Sequence, residues 1–213
     1  MKPVFPVILS SPSGGGKTTI AKALLARRQD IGYSVSCTTR APRAGEANGK
    51  DYYFLTEQEF IARRAKGDFA ESAQVHGLWY GTLRSEVETV LGSGKHVILD
   101  IDVQGAAQFR RAFPQAVLVF VLPPSGESLL ERLRERERGT ENAAQLTRRL
   151  QSAIAELKAV PEYQYVVIND ELERAVQRVA GIIDAETMRR ERLTGLERDL
   201  RSIVERLERE IDT

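Results

Sequence analysis

The apolar positions of this chain fall into two alternating spacings. Val7-Ile8-Leu9 is a short continuous run of the kind that forms a strand buried on both faces, and after a glycine-rich segment Ile20, Ala23, Leu24 and Arg27 follow helical spacing. Similar signals predict strands at Tyr33 to Cys37, His96 to Ile101, Ala116 to Leu122 and Tyr165 to Ile168, with a helix through Val87, Val90 and Leu91. Strands that alternate with helical stretches predict an α/β fold, a parallel sheet covered on both faces.

Between Asp51 and Gly81 the pattern changes. Short strand candidates, Tyr52 to Leu55, Phe69 to Gln74 and Leu78 to Tyr80, surround one helix. Its start is marked by Thr56 and, three residues on, Glu59, just ahead of Phe60-Ile61, the signature of a capping box. This region reads as a small inserted subdomain, preceded by a polar loop from Thr38 to Lys50. Glu127 to Lys158 is charged at its start and then apolar at Leu146, Leu150, Ala153, Ile154 and Leu157, positions that share one helical face.

Composition narrows the class. Hydrophobic residues make up 42% and charged residues 29% of the 213 positions, and no apolar run approaches the ~20 residues of a membrane span, so a soluble protein is expected. The first ten residues run straight into the glycine-rich segment without a small-residue cleavage site, as a strand does and a signal peptide does not. A single cysteine, Cys37, excludes an internal disulfide, and with only His76 and His96 beside it the chain lacks a structural zinc set; a reducing cytoplasm fits. A formal charge of +1 supplies no global field for nucleic acid or an anionic membrane, so any anion is bound by local clusters.

One such cluster is Ser11 to Thr18, SPSGGGKT. Gly14, Gly15 and Gly16 permit φ > 0 and let consecutive N–H groups converge on phosphate oxygens at the start of a helix. Lys17 adds a mobile positive charge and Thr18 a hydroxyl for Mg²⁺. The usual pattern begins with Gly where this chain has Ser11. The preceding strand and following helix nevertheless favour a nucleoside triphosphate site over an ordinary glycine-rich cap. A second cluster is Val97 to Asp102, an apolar strand ending in Asp100 and Asp102, which period-two alternation places on one face. Ligands bind at that end of such strands. Asp100 suits magnesium, directly or through water, and Asp102 a polar group of a substrate; a turn-forming or capping role is the alternative for each. Arg40 and Arg43, separated by Pro42, suit a compact dianion such as a nucleoside monophosphate, a solvated loop being the alternative.

Taken in order, SPSGGGKT, VSCTTRAPRAGEANGKDYYF, FAESAQVHGLWYGT, ILDIDVQGA, the segment from Arg138 to Arg149 and VINDELERA resemble the guanylate kinase family, up to about Met188. The resemblance implies transfer of phosphate from ATP to GMP with Mg²⁺, on a P-loop parallel sheet flanked by helices, with an inserted small GMP-binding α+β subdomain and a helical lid. The implied divisions are a core of 3–36, 83–125 and 159–188, a GMP-binding subdomain of 37–82 and a lid of 126–158, followed by a charged amphipathic helix over 189–213. Ser13, Gly14, Gly15, Gly16, Lys17, Thr18, Thr19 and Asn169 would then hold ATP, with Thr18 and Asp100 serving the metal. Arg40, Arg43, Tyr52 and Tyr80 would hold the GMP phosphate. Ser36, Glu71, Thr82 and Asp102 would surround guanine and its ribose, and Lys17, Arg138 and Arg149 would neutralise charge on the moving group.

The chemistry of Glu71 agrees with that assignment, because guanine offers N1–H and N2–H₂ to one carboxylate and adenine lacks the pair. Trp79 is assigned to packing. The lid departs from the family: counting back from Arg149 selects Arg138, whereas counting forward from Leu129-Leu130-Glu131-Arg132-Leu133 selects Arg136, as if two residues were inserted. Arg138 is taken as the lid arginine, and others between Arg134 and Arg138 as a solvated helix face. A guanylate-kinase-like binding module without chemistry is disfavoured by Lys17, Thr18 and Asp100, and a kinase of another acceptor by Ser36 with Glu71. Past the resemblance, Leu193, Leu196, Leu200, Ile203 and Leu207 follow 3,4 spacing amid balanced Arg and Glu. A homo-oligomer through this helix and its packing on its own domain both remain open.

Overall fold

The computed structural model describes residues 3–75, 77–135 and 143–211. Along the chain the elements are β1 (Pro6–Ser10), α1 (Lys17–Arg27), β2 (Ile31–Tyr33), β3 (Ser36–Thr38), β4 (Tyr53–Phe54), α2 (Glu57–Ala65), β5 (Phe69–Val75), β6 (Leu78–Leu83) and α3 (Arg84–Gly92). They continue with β7 (His96–Asp100), α4 (Val103–Ala112), β8 (Val117–Leu122), α5 (Gly126–Glu135), α6 (Ala143–Lys158), β9 (Tyr165–Ile168), α7 (Leu172–Thr187) and α8 (Leu196–Ile211). One sheet has the order β2-β7-β1-β8-β9, and all its pairings are parallel. The other has the order β4-β3-β6-β5 and is mixed, with β3 parallel to β4 and antiparallel to β6. Among the described residues no helix is long and apolar enough to cross a membrane.

The continuous apolar runs of the first sheet follow from its two coverings. Val7, Leu9, Ile98, Val117, Val119 and Val121 face a layer built on Ile20 and Leu24 of α1 and Val176, Val179 and Ile183 of α7. The alternate positions Ile8, Val97, Leu99 and Leu118 face Val87 of α3 and Ala106 and Phe109 of α4. Successive strand residues point to opposite faces, so a strand covered on both sides is apolar along most of its length.

The expected strand from Tyr33 to Cys37 is divided between the two sheets. Ile31 pairs with His96 in the first, while Ser36 pairs with Thr82 in the second. The intervening Ser34 is buried, so the change of hydrogen-bonding partner is not marked by a solvent-facing turn. Ser36, expected at the end of the core, therefore belongs by pairing to the second sheet.

That sheet has its own small core of Cys37, Phe60, Phe69 and Leu83, with Trp79 packed against it. Helix α2 starts at the expected capping box: Thr56 Oγ1 accepts from Glu59 N–H at 3.2 Å, and Glu59 Oε2 accepts from Thr56 N–H at 2.8 Å. Phe60 stacks on Phe69 with centroids 4.4 Å apart and on Trp79 at 5.6 Å. The guanidinium of Arg64 lies 4.6 Å over the indole, which accounts for Trp79 as a packing residue. Burial holds the thiol of Cys37 up at about 11.

The two sheets are pinned together at α4, where Gln108 accepts from Ser72 N–H at 3.2 Å and donates to Ser72 C=O at 3.1 Å. Helices α5 and α6 pack through Leu129, Leu133, Leu146, Leu150, Ala153 and Leu157. Ile154, expected on that face, is 54% exposed, because it lies one residue past the contact line. Arg136 and Arg138 lie outside the described residues.

Phe60 is fully buried at the centre of the smaller core. Phe60→Ala is expected to destabilise the second sheet by ~3–5 kcal/mol, read from urea unfolding followed by the fluorescence of Trp79, the single tryptophan.

Candidate active site

Three glycines make the loop between β1 and α1, each for a separate reason. Gly14 and Gly16 have φ of 85° and 93°, in the left-handed region. A side chain on Gly15 would meet Ser11 Cβ at 2.6 Å. The departure at Ser11 is thus accommodated by the glycine four residues on. Gly15 N–H donates to Pro12 C=O at 2.8 Å, and Ser11 Oγ to the same carbonyl at 3.0 Å, closing the turn. Gly16 caps α1, and no side chain caps that helix start, so its first N–H groups remain available to an anion.

Asn169, just past β9, secures the loop from the other side. Its Nδ2 donates to Gly15 C=O at 2.9 Å, and a Cβ on Gly16 would come within 2.3 Å of the same nitrogen.

Strand β7 runs beside β1 and delivers Asp100 to the loop, where Thr18 Oγ1 donates to Asp100 Oδ2 at 2.5 Å. An oxygen-only pair of one hydroxyl and one carboxylate fits Mg²⁺, which draws its remaining ligands from water and substrate phosphates. The strand ends at Asp100, so Asp102 is not a strand residue as expected; it caps α4, accepting from Gly105 N–H at 2.7 Å. Both carboxylates nevertheless line one cleft.

That cleft, of ≈ 690 Å³, brings together Lys17, Thr18, Ser36, Tyr52, Glu71, Tyr80, Asp100 and Asp102. Glu71 follows a register shift between β5 and β6 at Phe69/Glu71. Such an irregularity re-aims a side chain. Glu71 is 7% exposed, accepts from Thr82 Oγ1 at 2.7 Å, and approaches α4 so closely that a Cβ on Gly105 would lie 3.0 Å from its Oε2. Burial drives its carboxyl up to about 7, the Thr82 hydroxyl opposing and Asp102 adding to the shift.

The arginines of the preceding loop are placed differently. Arg40 is clamped by Glu46, with Nη2 at 2.9 and 3.0 Å from the two carboxylate oxygens, and lies 5.5 Å over the Tyr52 ring. Arg43 is exposed, and its backbone N–H donates to Glu46 at 2.8 Å. Neither lines the cleft. Glu46 does, and it is a residue that sequence reasoning missed; its signal was its spacing, three residues beyond Arg43.

A second cleft of ≈ 440 Å³ opens on the other side of the loop, lined by Gly14, Gly16, Thr19, Arg132, Glu135, Asn169, Asp170 and Leu172. Arg132, assigned no role from sequence, reaches Gly14 C=O at 3.5 Å and Asn169 C=O at 3.4 Å. Glu156 was also missed. From α6 it accepts from the N–H of Ser13 at 3.2 Å. Burial raises its carboxyl, opposed by that N–H and by Lys17. Arg149 lies on α6 two turns before Glu156, on the same face, and lines neither cleft. Its expected partner Arg138 falls outside the described residues.

Two clefts on either side of the glycine loop, one lined by Lys17 and the other by Gly14 and Gly16, suit the transfer of a phosphoryl group from a nucleotide on one side to an acceptor on the other. The class of protein that this fold and these clefts suit is a nucleoside monophosphate kinase. Residues 4–186 match the family model described as guanylate kinase. The chain is 47% identical to a guanylate kinase of Clostridium perfringens over 187 residues, 88% of this chain and 86% of that one. It is 47% identical to a guanylate kinase of Thermotoga maritima over 179 residues, 84% and 86% of the two chains. The crystal structure of guanylate kinase from Anaplasma phagocytophilum superposes with a TM-score of 0.77 at 35% identity, covering 95% of this chain and 96% of that one. The chain belongs to the guanylate kinase family.

Glu71 carries a pH signature. Its ordinary value of 4.5 is raised to about 7 in the fold, so the folded state holds the proton more tightly than the unfolded state. Its contribution to stability is complete below pH 4.5 and is lost as pH rises through about 7. Urea unfolding from pH 4.5 to 7.5 of the wild type and Glu71→Gln should show the difference shrinking or reversing with rising pH, by on the order of 2 kcal/mol.

Proposed function

We propose that this chain transfers the γ-phosphoryl group of ATP to GMP, giving ADP and GDP. The observation that carries the reading is Glu71, a buried carboxylate in the cleft that Lys17 lines. Once ionised it accepts both N1–H and N2–H₂ of guanine, and the Thr82 hydroxyl holds the carboxylate in place through Oε1. Ser36 and Asp102 flank the base and ribose. Tyr52, Tyr80, Arg40 and Arg43 hold the acceptor phosphate, with Glu46 fixing the Arg40 guanidinium from behind. Binding of the dianion reorients Arg43 from solvent.

On the donor side the N–H groups at the start of α1 and Lys17 bind the triphosphate, joined by Ser13, Gly14, Gly15, Gly16, Thr18 and Thr19. Asn169 and Arg132 border the second cleft and hold the adenosine end. Thr18 and Asp100 would hold Mg²⁺, which when bound neutralises charge on the phosphates. Phosphoryl transfer proceeds through a loose in-line transition state, so these residues position the two nucleotides and balance charge without a general base. Residues 37–82 form the acceptor subdomain and 126–158 the lid, which brings Arg149 and Arg138 to the moving group and excludes water. Glu156 sets the lid's seat on the loop through Ser13, and so sets where Arg149 lies. The single buried Cys37 and the near-neutral net charge support a cytoplasmic enzyme that binds neither nucleic acid nor membrane.

ADP formation measured with ATP and Mg²⁺ against a panel of nucleoside monophosphates should favour GMP over AMP by ~10⁴-fold in kcat/KM; comparable turnover of AMP sinks the reading. Arg149→Ala is expected to lower kcat by ~10²- to 10⁵-fold. Glu156→Ala should raise KM for ATP and lower kcat together, with recovery in Glu156→Gln, which keeps an acceptor for the Ser13 N–H. A loss equal in both variants would show that charge, not the hydrogen bond, is what matters.

A further inference from the structure

Helix α8 plays no part in the site. Gly195, at φ 85°, breaks the chain just before it, and no residue of the helix is buried. Leu200, Ile203, Val204, Leu207 and Ile211 are 51%, 57%, 49%, 60% and 82% exposed. They stand at i, i+3, i+4, i+7 and i+11, a single apolar stripe on an otherwise charged helix. A stripe of this kind has to be covered, and the charges at its border say by what.

With Leu200 and Leu207 at the a positions and Leu196 and Ile203 at the d positions, Asp199 and Arg206 occupy successive g positions along one border. The other border has Glu197, Val204 and Ile211 at e. In a parallel pair, g faces e of the partner, which sets Asp199 against Val204 and Arg206 against Ile211. In an antiparallel pair, g faces g, so Asp199 of one copy meets Arg206 of the other, and the two-fold axis repeats the pair. The same register packs Leu200 against Ile203 and Leu196 against Leu207. The border is therefore complementary to its own reverse, the requirement of an isologous two-fold contact. Among the described residues Asp199 and Arg206 make exposed pairs within their own helix, to Arg198 at 3.1 Å and Glu210 at 2.9 Å, which cost little to exchange.

We propose that α8 is a self-association element that pairs antiparallel with α8 of a second copy. A helix of 16 residues gives a short seam, so the dimer forms reversibly, with Kd of about micromolar order.

Light scattering on the full chain, from about 1 to 100 μM, tests this. The mass should rise from 23.8 kDa towards twice that value. Leu200→Glu with Ile203→Glu should give a monomer at every concentration, with the melting temperature and ADP-forming turnover unchanged. Asp199→Arg should weaken association at least tenfold, and Asp199→Arg combined with Arg206→Asp should restore it. Direction is read by oxidative cross-linking, Cys37 being buried. A mixture of Leu196→Cys and Leu207→Cys chains should link one variant to the other, whereas Leu196→Cys alone should not link to itself. A monomer at all concentrations, a trimer or larger assembly, a dimer that survives the double glutamate variant, or self-linking of Leu196→Cys overturns the proposal.

Discussion

The fold turns on keeping one short loop of main chain with its N–H groups directed inward at the end of a parallel strand. Such a turn is strained for any residue with a Cβ, and Gly14 and Gly16 relieve the strain at φ of 85° and 93°. Glycine alone does not hold it. Asn169 ties Gly15 C=O to the end of β9, Glu156 reaches Ser13 N–H from α6, and Thr18 bonds Asp100 from β7. Each of these partners lies more than eighty residues away in sequence. The buried core of β1, β7 and β8 exists, in this sense, to bring three distant side chains to one turn.

The acceptor side depends on a different constraint, a carboxylate placed where water cannot reach it. A buried ionised Glu is costly, so Glu71 rises to about 7 and takes a hydroxyl from Thr82. Its position results from the shift in strand register beside it and from Gly105, which lets α4 approach. The Gln108 bonds to Ser72 then fix the second sheet against α4.

Helix α6 meets the loop through the carboxylate of Glu156, while Arg132 of α5 reaches carbonyls of Gly14 and Asn169. Charges of both signs, Arg132 with Glu135 and Asp170, thus line the second cleft. Arg40 is likewise held by Glu46. Such charge-assisted pairing holds the Arg40 guanidinium in one orientation.

The local sequence was enough to specify the parallel sheet, the glycine loop, the capping box at Thr56 and Glu59 and the amphipathic stripe of α8, since each follows from periodicity or from a few adjacent residues. The family motifs grouped Ser36, Glu71, Thr82 and Asp102; Ser36, Glu71 and Asp102 line one cleft, and Thr82 stands behind it, donating to Glu71. Other features were not legible. Nothing in Tyr33 to Cys37 marks the passage from one sheet to the other, because the choice of partner strand is made by backbone groups that every residue carries. Glu46, Arg132 and Glu156 read as ordinary surface charges, and Ile154 as a core residue, because hydrophobic spacing reports which face is covered and says nothing of a contact made by a single side chain. Sequence by itself determined the elements and the chemistry available to them. Only the tertiary structure decided which carboxylate is buried and which arginine is clamped, since burial and hydrogen bonding belong to pairs of segments that meet only when the chain has folded.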